Sequence, residues 1–199
     1  MKRIIILILI FTLTSIFNSN IYSQNIGVYA NINQATVHTD RYENESIFTP
    51  SIGLEYYGRE DKLLKYTLGL SYEQKGEKFE NNGYTYIRIN YLQFKTLAKI
   101  GNSMIEGQFG PYMGFFTSVK HISNGIQDDS FYQYMNRFNY GLTTSVNQYL
   151  FSTSNISGYL RGEVNYDISN YYFSDLFTRT NYDRHFNYSL GFLLKWDKN

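Results

Sequence analysis

The chain has 199 residues, with 18 Lys plus Arg against 17 Asp plus Glu and no Cys. A net charge of +1 gives no electrostatic footprint for nucleic acid, and the missing cysteines exclude a disulfide framework and lipid attachment at a cysteine. Aromatic residues make up 19% of the chain, and the 21 Tyr against one Trp suit strands that end at a membrane–water boundary.

Lys2 and Arg3 precede an apolar run over residues 4–17 and a polar stretch over residues 18–24. That order is expected of a secretory signal peptide, and the run is shorter than the ~20 residues a spanning helix needs. Ser23 is a small residue that suits the cut, so residues 1–23 are read as leader and residues 24–199 as one exported domain. Removing Lys2 and Arg3 with the leader takes the net charge from +1 to −1.

After the leader, no segment has helical periodicity of useful length, whereas alternation with a period of two recurs. The first predicted strand covers residues 25–33, with Ile26, Val28, Ala30 and Ile32 on one face. The second, over residues 48–57, places Ile52, Leu54 and Tyr56 opposite Ser51, Gly53 and Glu55. A turn at residues 58–62 leads to the third, where Tyr66, Leu68, Leu70 and Tyr72 oppose Thr67, Gly69, Ser71 and Glu73. Residues 75–85 read as a loop, and a fourth strand over residues 86–100 sets Leu92, Phe94, Ala98 and Ile100 against Gln93, Lys95 and Lys99.

A short turn at residues 101–104 precedes the fifth strand. It carries Ile105, Phe109, Pro111, Met113 and Phe115 on one side and Glu106 and Gln108 on the other. Pro111 cannot donate to a ladder, so a bulge is expected there. After a long polar stretch (residues 117–136), the sixth strand shows Phe138, Tyr140, Leu142 and Val146 against Asn139, Thr143, Ser145 and Asn147. Residues 151–155 read as a turn, and the seventh strand sets Leu160, Val164, Tyr166 and Ile168 against Arg161, Glu163, Asn165 and Asp167. The loop at residues 169–183 precedes a closing strand with Phe186, Tyr188, Leu190, Phe192, Leu194 and Trp196 on one face; only Leu193 breaks its alternation.

Eight strands with alternately long and short connections predict an all-β fold. Its form is an eight-stranded antiparallel up-and-down transmembrane β-barrel, with both termini on the periplasmic side and the long loops extracellular. Alternation alone would also suit a soluble lipocalin-like carrier, whose apolar face looks inward. The polar face decides between them: it is rich in Gly, Ser, Thr and Asn and carries Glu55, Glu73, Lys95, Lys99, Glu106, Arg161, Glu163 and Lys195. Small residues and charges of both signs fit the narrow interior of eight strands, so these eight are expected to fill the lumen as a structural network and not to line a pore.

Hairpin registers follow from the turn lengths. A four-residue turn at 101–104 sets Ile100 opposite Ile105 and Lys99 opposite Glu106, and the turn at 151–155 sets Ser145 opposite Arg161. A six-residue turn after Tyr57 would set Glu55 opposite Tyr66, so a bulge or a shifted strand end is required there.

The segments INYLQFKTLAKI and EGQFGPYMGFF in the fourth and fifth strands resemble the paired signature of PorT-like outer-membrane barrels of the Bacteroidetes. GLSYEQKGEKF and the closing YSLGFLLKW share that look, and the resemblance covers essentially the whole mature chain. It departs where that family often has proline, at Lys95 or Thr96, and in ending on Trp196 followed by three further residues instead of on Tyr or Phe. The resemblance implies a small OmpX- or OmpA-type barrel in outer-membrane lipid, with Trp196 as the terminal aromatic that the barrel-assembly machinery reads. It implies a surface or secretion-apparatus protein as partner, by analogy only.

No catalytic, metal or cofactor residue is expected. His38, His121 and His185 all fall in or beside predicted loops, and there is no Cys to complete a metal site. His121 and Ser123 alternate as in lipid A deacylases, which makes a lipid hydrolase the competing reading. Asp128 and Asp129 lie in what reads as loop, so the pair lacks a convincing acidic partner and reads as turn chemistry. The aromatic residues Phe131, Tyr132, Tyr134, Tyr171, Tyr172, Phe173 and Phe177 lie close to strand ends and read first as an outer girdle, second as a binding surface.

Overall fold

A computed structural model describes residues 25–38, 44–58, 65–80, 84–123, 125–127, 136–169 and 184–196. The predicted leader, the aromatic residues of the two long loops, Asp128, Asp129 and the three residues after Trp196 lie outside that set. Eight strands carry the fold: β1 (Asn25–His38), β2 (Ile47–Tyr57), β3 (Lys65–Glu80), β4 (Tyr84–Gly101), β5 (Ile105–Ser123), β6 (Phe138–Ser152), β7 (Ile156–Asp167) and β8 (Arg184–Trp196). Two-residue bridges at Asn44–Glu45 and Ile126–Gln127 add to β3 and β5.

Each strand pairs antiparallel with its neighbours in sequence, and β1 pairs with β8, so the sheet closes on itself. The first strand is thus at the closing seam, bonded to β2 on one side and β8 on the other. Paired residues step round the wall from Gly27 through Glu55, Gly69, Lys95, Tyr112 and Gly141 to Asp167. Next to Asp167, Tyr166 pairs with Phe186 and Phe186 with Thr36. The circuit that leaves β1 at Gly27 therefore returns at Val37, ten residues further on. That stagger tilts the strands and sets the width of an eight-stranded lumen.

Alternation fixes which face meets what. Ile32, Phe48, Ile100, Leu190 and Phe192 point outward, each more than half exposed, while Asn31, Asn33, Ile47, Thr49, Lys99 and Leu193 beside them are buried inside the wall. A lipocalin-like arrangement, apolar inside, is therefore not the one formed. Leu193 breaks the alternation because it is an inward residue, wholly buried with Tyr29, Tyr57 and Tyr159 in a small apolar cluster toward the end of the lumen where β1 begins and β8 ends. Gly27 and Gly53 make room for that layer: a Cβ at Gly53 would lie 2.4 Å from the Tyr29 ring, and one at Gly27 2.9 Å from Leu193.

Several strands run past their predicted ends. β1 reaches His38, and β3, β4 and β5 extend through residues 75–80, 84–85 and 117–123, which read as loop in the sequence. Their extended pairing forms a ribbon standing beyond the rest of the wall. Consequently all three histidines lie on strands and not in loops, and His185 is buried in the lumen.

The hairpin registers differ from the predicted ones by two residues, which preserves every side. Gly101 adopts a positive φ of 112° and stays paired, opposite Glu106, so the four-residue loop is 102–105 and Lys99 faces Gln108. Asn102 ties that loop, its Oδ1 accepting from the backbone of Met104 and Ile105 at 2.9 and 3.0 Å. Between β6 and β7 the register shifts between Tyr149 and Phe151, and Arg161 faces Asn147 while Ser145 faces Glu163. After β2 the strand end is simply shifted, with Glu55 opposite Gly69 and Tyr57 opposite Thr67.

Pro111 does not produce a bulge. The β4–β5 pairing runs to Lys95 and Tyr112 and resumes at Ala98 and Phe109 in unchanged register. The close approach of Gly110 to the Thr96 carbonyl, 2.1 Å from where a Cβ would sit, accommodates that gap. The bulge lies instead at Thr117, between the pairs Tyr91–Phe116 and Asn90–Ser118.

Candidate functional site: a charged plug in the lumen

Inward charges that share a strand are separated by two or four residues, so the pleat alone aims them into one space. The eight predicted residues all meet there, and two more join them, Lys75 and Asp167. Apart from His185, the buried ionisable side chains among the described residues that carry charge are Lys75, Lys95, Lys99, Arg161 and Lys195 against Glu55, Glu73, Glu106, Glu163 and Asp167. Five cations face five carboxylates, so this described set balances in charge.

The charges fall in three layers. In the middle, Lys95 Nζ lies 2.6 Å from Glu73 and 2.5 Å from Glu163. Arg161 joins the same Glu163 at 2.6 Å to Glu55 at 2.8 Å, and the Tyr29 ring lies beneath the guanidinium at 4.4 Å. Asn165 donates to Glu163 at 2.9 Å, and the Tyr57 hydroxyl donates to Glu55. Toward the long-loop end, Lys75 pairs with Asp167 at 2.6 Å and reaches Asn139 at 3.2 Å, while Asn139 and the Tyr112 hydroxyl donate to Asp167. Toward the termini, Lys99 pairs with Glu106 at 2.7 Å, with Lys195 at 3.9 Å from the same carboxylate. Both ammonium groups stand over the Tyr57 ring, at 5.1 and 4.7 Å.

Burying one ion without a partner costs several kcal/mol, so the interior is stable only because each charge is shared and hydrogen-bonded. A network crossing the lumen at three heights fills it with side chains, the expected state for eight strands. Among the described residues no group of three His, Cys, Asp or Glu is placed to hold a metal. His121 and Ser123 are two residues apart on β5, on the face where Val119 packs against Ile87 and Ile89. That face continues the lumen side of the wall, away from the outer apolar face.

Lys75 escaped the pattern because Gly76 and the charges after it read as a loop. The signal was present: Lys75 continues the alternation of Ser71 and Glu73, as Asp167 continues that of Glu163 and Asn165.

An apolar outer wall, a tilted closed sheet of eight strands and a charge-filled lumen define the small outer-membrane type of β-barrel. A solved structure agrees on the fold, and two others are similar at lower scores. Neisserial surface protein A superposes with a TM-score of 0.52 at 10% identity, covering 89% of this chain and 99% of that one. OprG of Pseudomonas aeruginosa gives 0.48 at 11% identity, covering 87% and 95%, and Ail, the attachment invasion locus protein of Yersinia pestis, gives 0.44 at 15%, covering 87% and 97%. No family model and no curated protein matches the chain. The likeness is one of fold.

Proposed function

We propose that the protein is an integral barrel of the bacterial outer membrane with a plugged lumen, acting as a structural or interaction protein at the cell surface. The observation that carries this reading is the division of faces: isoleucine, leucine and phenylalanine outside, ten paired charges inside. Such a wall is stable in lipid and poorly stable in water, where a patch of that size would be sticky.

The start of β1 and the end of β8 lie at the end with the short connections: Ile26 pairs with Trp196 and with Tyr56, and the turns after β4 and β6 share that end. Barrels of this type keep short turns in the periplasm, so the long connections stand outside, where adhesion or contact with a secretion apparatus would occur. The PorT-like motifs favour the second of these roles. We read Trp196, exposed on the outer face of the last strand, as the terminal aromatic that the barrel-assembly machinery would recognise. We read the protein as non-enzymatic, since the His121 and Ser123 face does not meet acyl chains.

Fractionation tests this. The protein should pellet with outer membranes, require detergent for release and migrate differently on gels before and after boiling. It should also give no sustained conductance steps in planar bilayers. Release into aqueous buffer would overturn the membrane assignment, and steady conductance would overturn the plug.

A further inference from the structure

The outer wall carries two cations side by side just beyond its apolar belt. Arg88 on β4 and Lys120 on β5 are direct cross-strand partners. Like charges placed opposite one another are unfavourable, and neither has a carboxylate in salt-bridge range among the described residues. Lys78, on the same face, is already neutralised by Glu45 at 2.6 Å. The Arg88 guanidinium rests on the Tyr86 ring at 4.6 Å, and its Nε is shielded from solvent with no hydrogen-bond partner. A buried donor left unsatisfied is unfavourable unless something supplies an acceptor.

The β5 bulge creates the pair. Phe115 and Met113 share the outer face below it; uninterrupted alternation would send Val119 and His121 outward and Lys120 inward. The extra residue Thr117, whose Oγ1 donates to the Asn90 carbonyl at 3.0 Å, reverses the parity. Val119 then packs against Ile87 and Ile89, and Ser118 and Lys120 are exposed on the outside. Re-aiming a side chain is a recurrent use of bulges. A polar row completes the surface: Gln74 donates to Asn90 at 3.0 Å, and Asn90 donates to Ser118 at 2.8 Å.

Height identifies the occupant. The outward residues Leu92, Phe94, Thr96, Ala98 and Ile100 mark a stretch of the ~9–11 residues that spans a bilayer. Arg88 lies four residues beyond Leu92, about 13 Å along a strand at ~3.3 Å per residue and less along the membrane normal because the strand tilts. That is the level of headgroups and not of the bulk solvent. A guanidinium offers a planar fork and an ammonium a point charge, which together match a phosphate monoester.

We propose that Arg88 and Lys120, with Asn90 and Ser118 beside them, form a wall-side binding site for the phosphate of a phosphorylated glycolipid headgroup in the outer leaflet. The site rests on the membrane reading above, and the test separates the two. Purified full-length protein in detergent would be mixed with diphosphoryl lipid A and the retained lipid counted by native mass spectrometry. Wild type should retain it, and the Arg88→Gln/Lys120→Gln double variant should retain at least tenfold less. Lys120→Gln alone, at an exposed position where folding is not at risk, should give an intermediate loss. Lipid A stripped of phosphate should be retained equally poorly by all three proteins, and equimolar inorganic phosphate should not displace the diphosphoryl form. Equal retention by wild type and both variants would overturn the site while leaving the membrane reading intact, provided boiling still changes gel migration. Displacement by inorganic phosphate would reduce it to a free-anion site and overturn the lipid assignment. Failure of wild type to insert into phosphatidylcholine vesicles would remove the membrane reading and the site with it.

Discussion

Arg161→Ala is expected to destabilise the barrel by about 3–5 kcal/mol, the range seen when one partner of a buried ion pair is removed. Arg161 is wholly buried and is the bridge between Glu55 and Glu163, so its loss strands Glu55 beside the Tyr57 hydroxyl and leaves four cations facing five carboxylates. The packing of the guanidinium on Tyr29 goes with it. The measurement is the urea midpoint for unfolding from lipid vesicles, which should fall well below that of wild type. A double variant that adds Glu55→Gln should recover part of the loss, because it restores four cations to four carboxylates and the uncompensated charge, not the missing hydrogen bonds, dominates the single variant. If Arg161→Ala unfolds at the wild-type midpoint, the ion pairs do not hold the lumen together.

Phe192→Arg carries the second large effect, and its sign depends on the solvent outside. On β8 the outward side chains run from Tyr188 through Leu190, Phe192 and Leu194 to Trp196, a span of spanning-strand length with amphipathic aromatics at both ends. Phe192, 62% exposed, sits at its centre. An arginine at the midplane of a lipid-facing wall should destabilise the protein by about 2–4 kcal/mol, whereas Phe192→Ala should have much less effect. In water the same arginine would be harmless or would improve solubility, since it replaces an exposed aromatic ring. The two environments therefore predict opposite outcomes for one substitution, read by refolding yield into vesicles and by the urea midpoint.

The fold was legible because the wall is one residue thick. Each strand meets two different environments, so alternation appears in the sequence directly, with no contribution from distant contacts. The same simplicity made the lumen charges legible, since parity alone assigns a side. What parity cannot supply is register. Gly101 stays paired by adopting a positive φ, and the shift between Tyr149 and Phe151 is absorbed within the β6–β7 hairpin. Neither is visible in composition, yet in both hairpins the pairing lies two residues from the expected register. Pro111 was a sound signal for a ladder defect, but Gly110 lets the chains approach closely and the defect passes without an extra residue. The true bulge at Thr117 carries no such mark. The upper ribbon was hidden for another reason: residues 75–80, 84–85 and 117–123 stand beyond the apolar belt, where the alternation of apolar and polar residues fades and the sequence reads as loop.

The side assignment is tested most directly by single cysteines in this cysteine-free chain, at Leu190 and Phe192 on the outer wall and at Ser145 and Asn147 in the lumen. Each variant would be folded into vesicles and exposed in turn to a membrane-soluble thiol reagent and to a charged water-soluble one. Cysteines at 190 and 192 should react with the first and resist the second, while those at 145 and 147 should stay protected from the membrane-soluble reagent. Rapid reaction at 190 and 192 with the charged reagent alone would put water where lipid is claimed, and the barrel would have to be turned inside out.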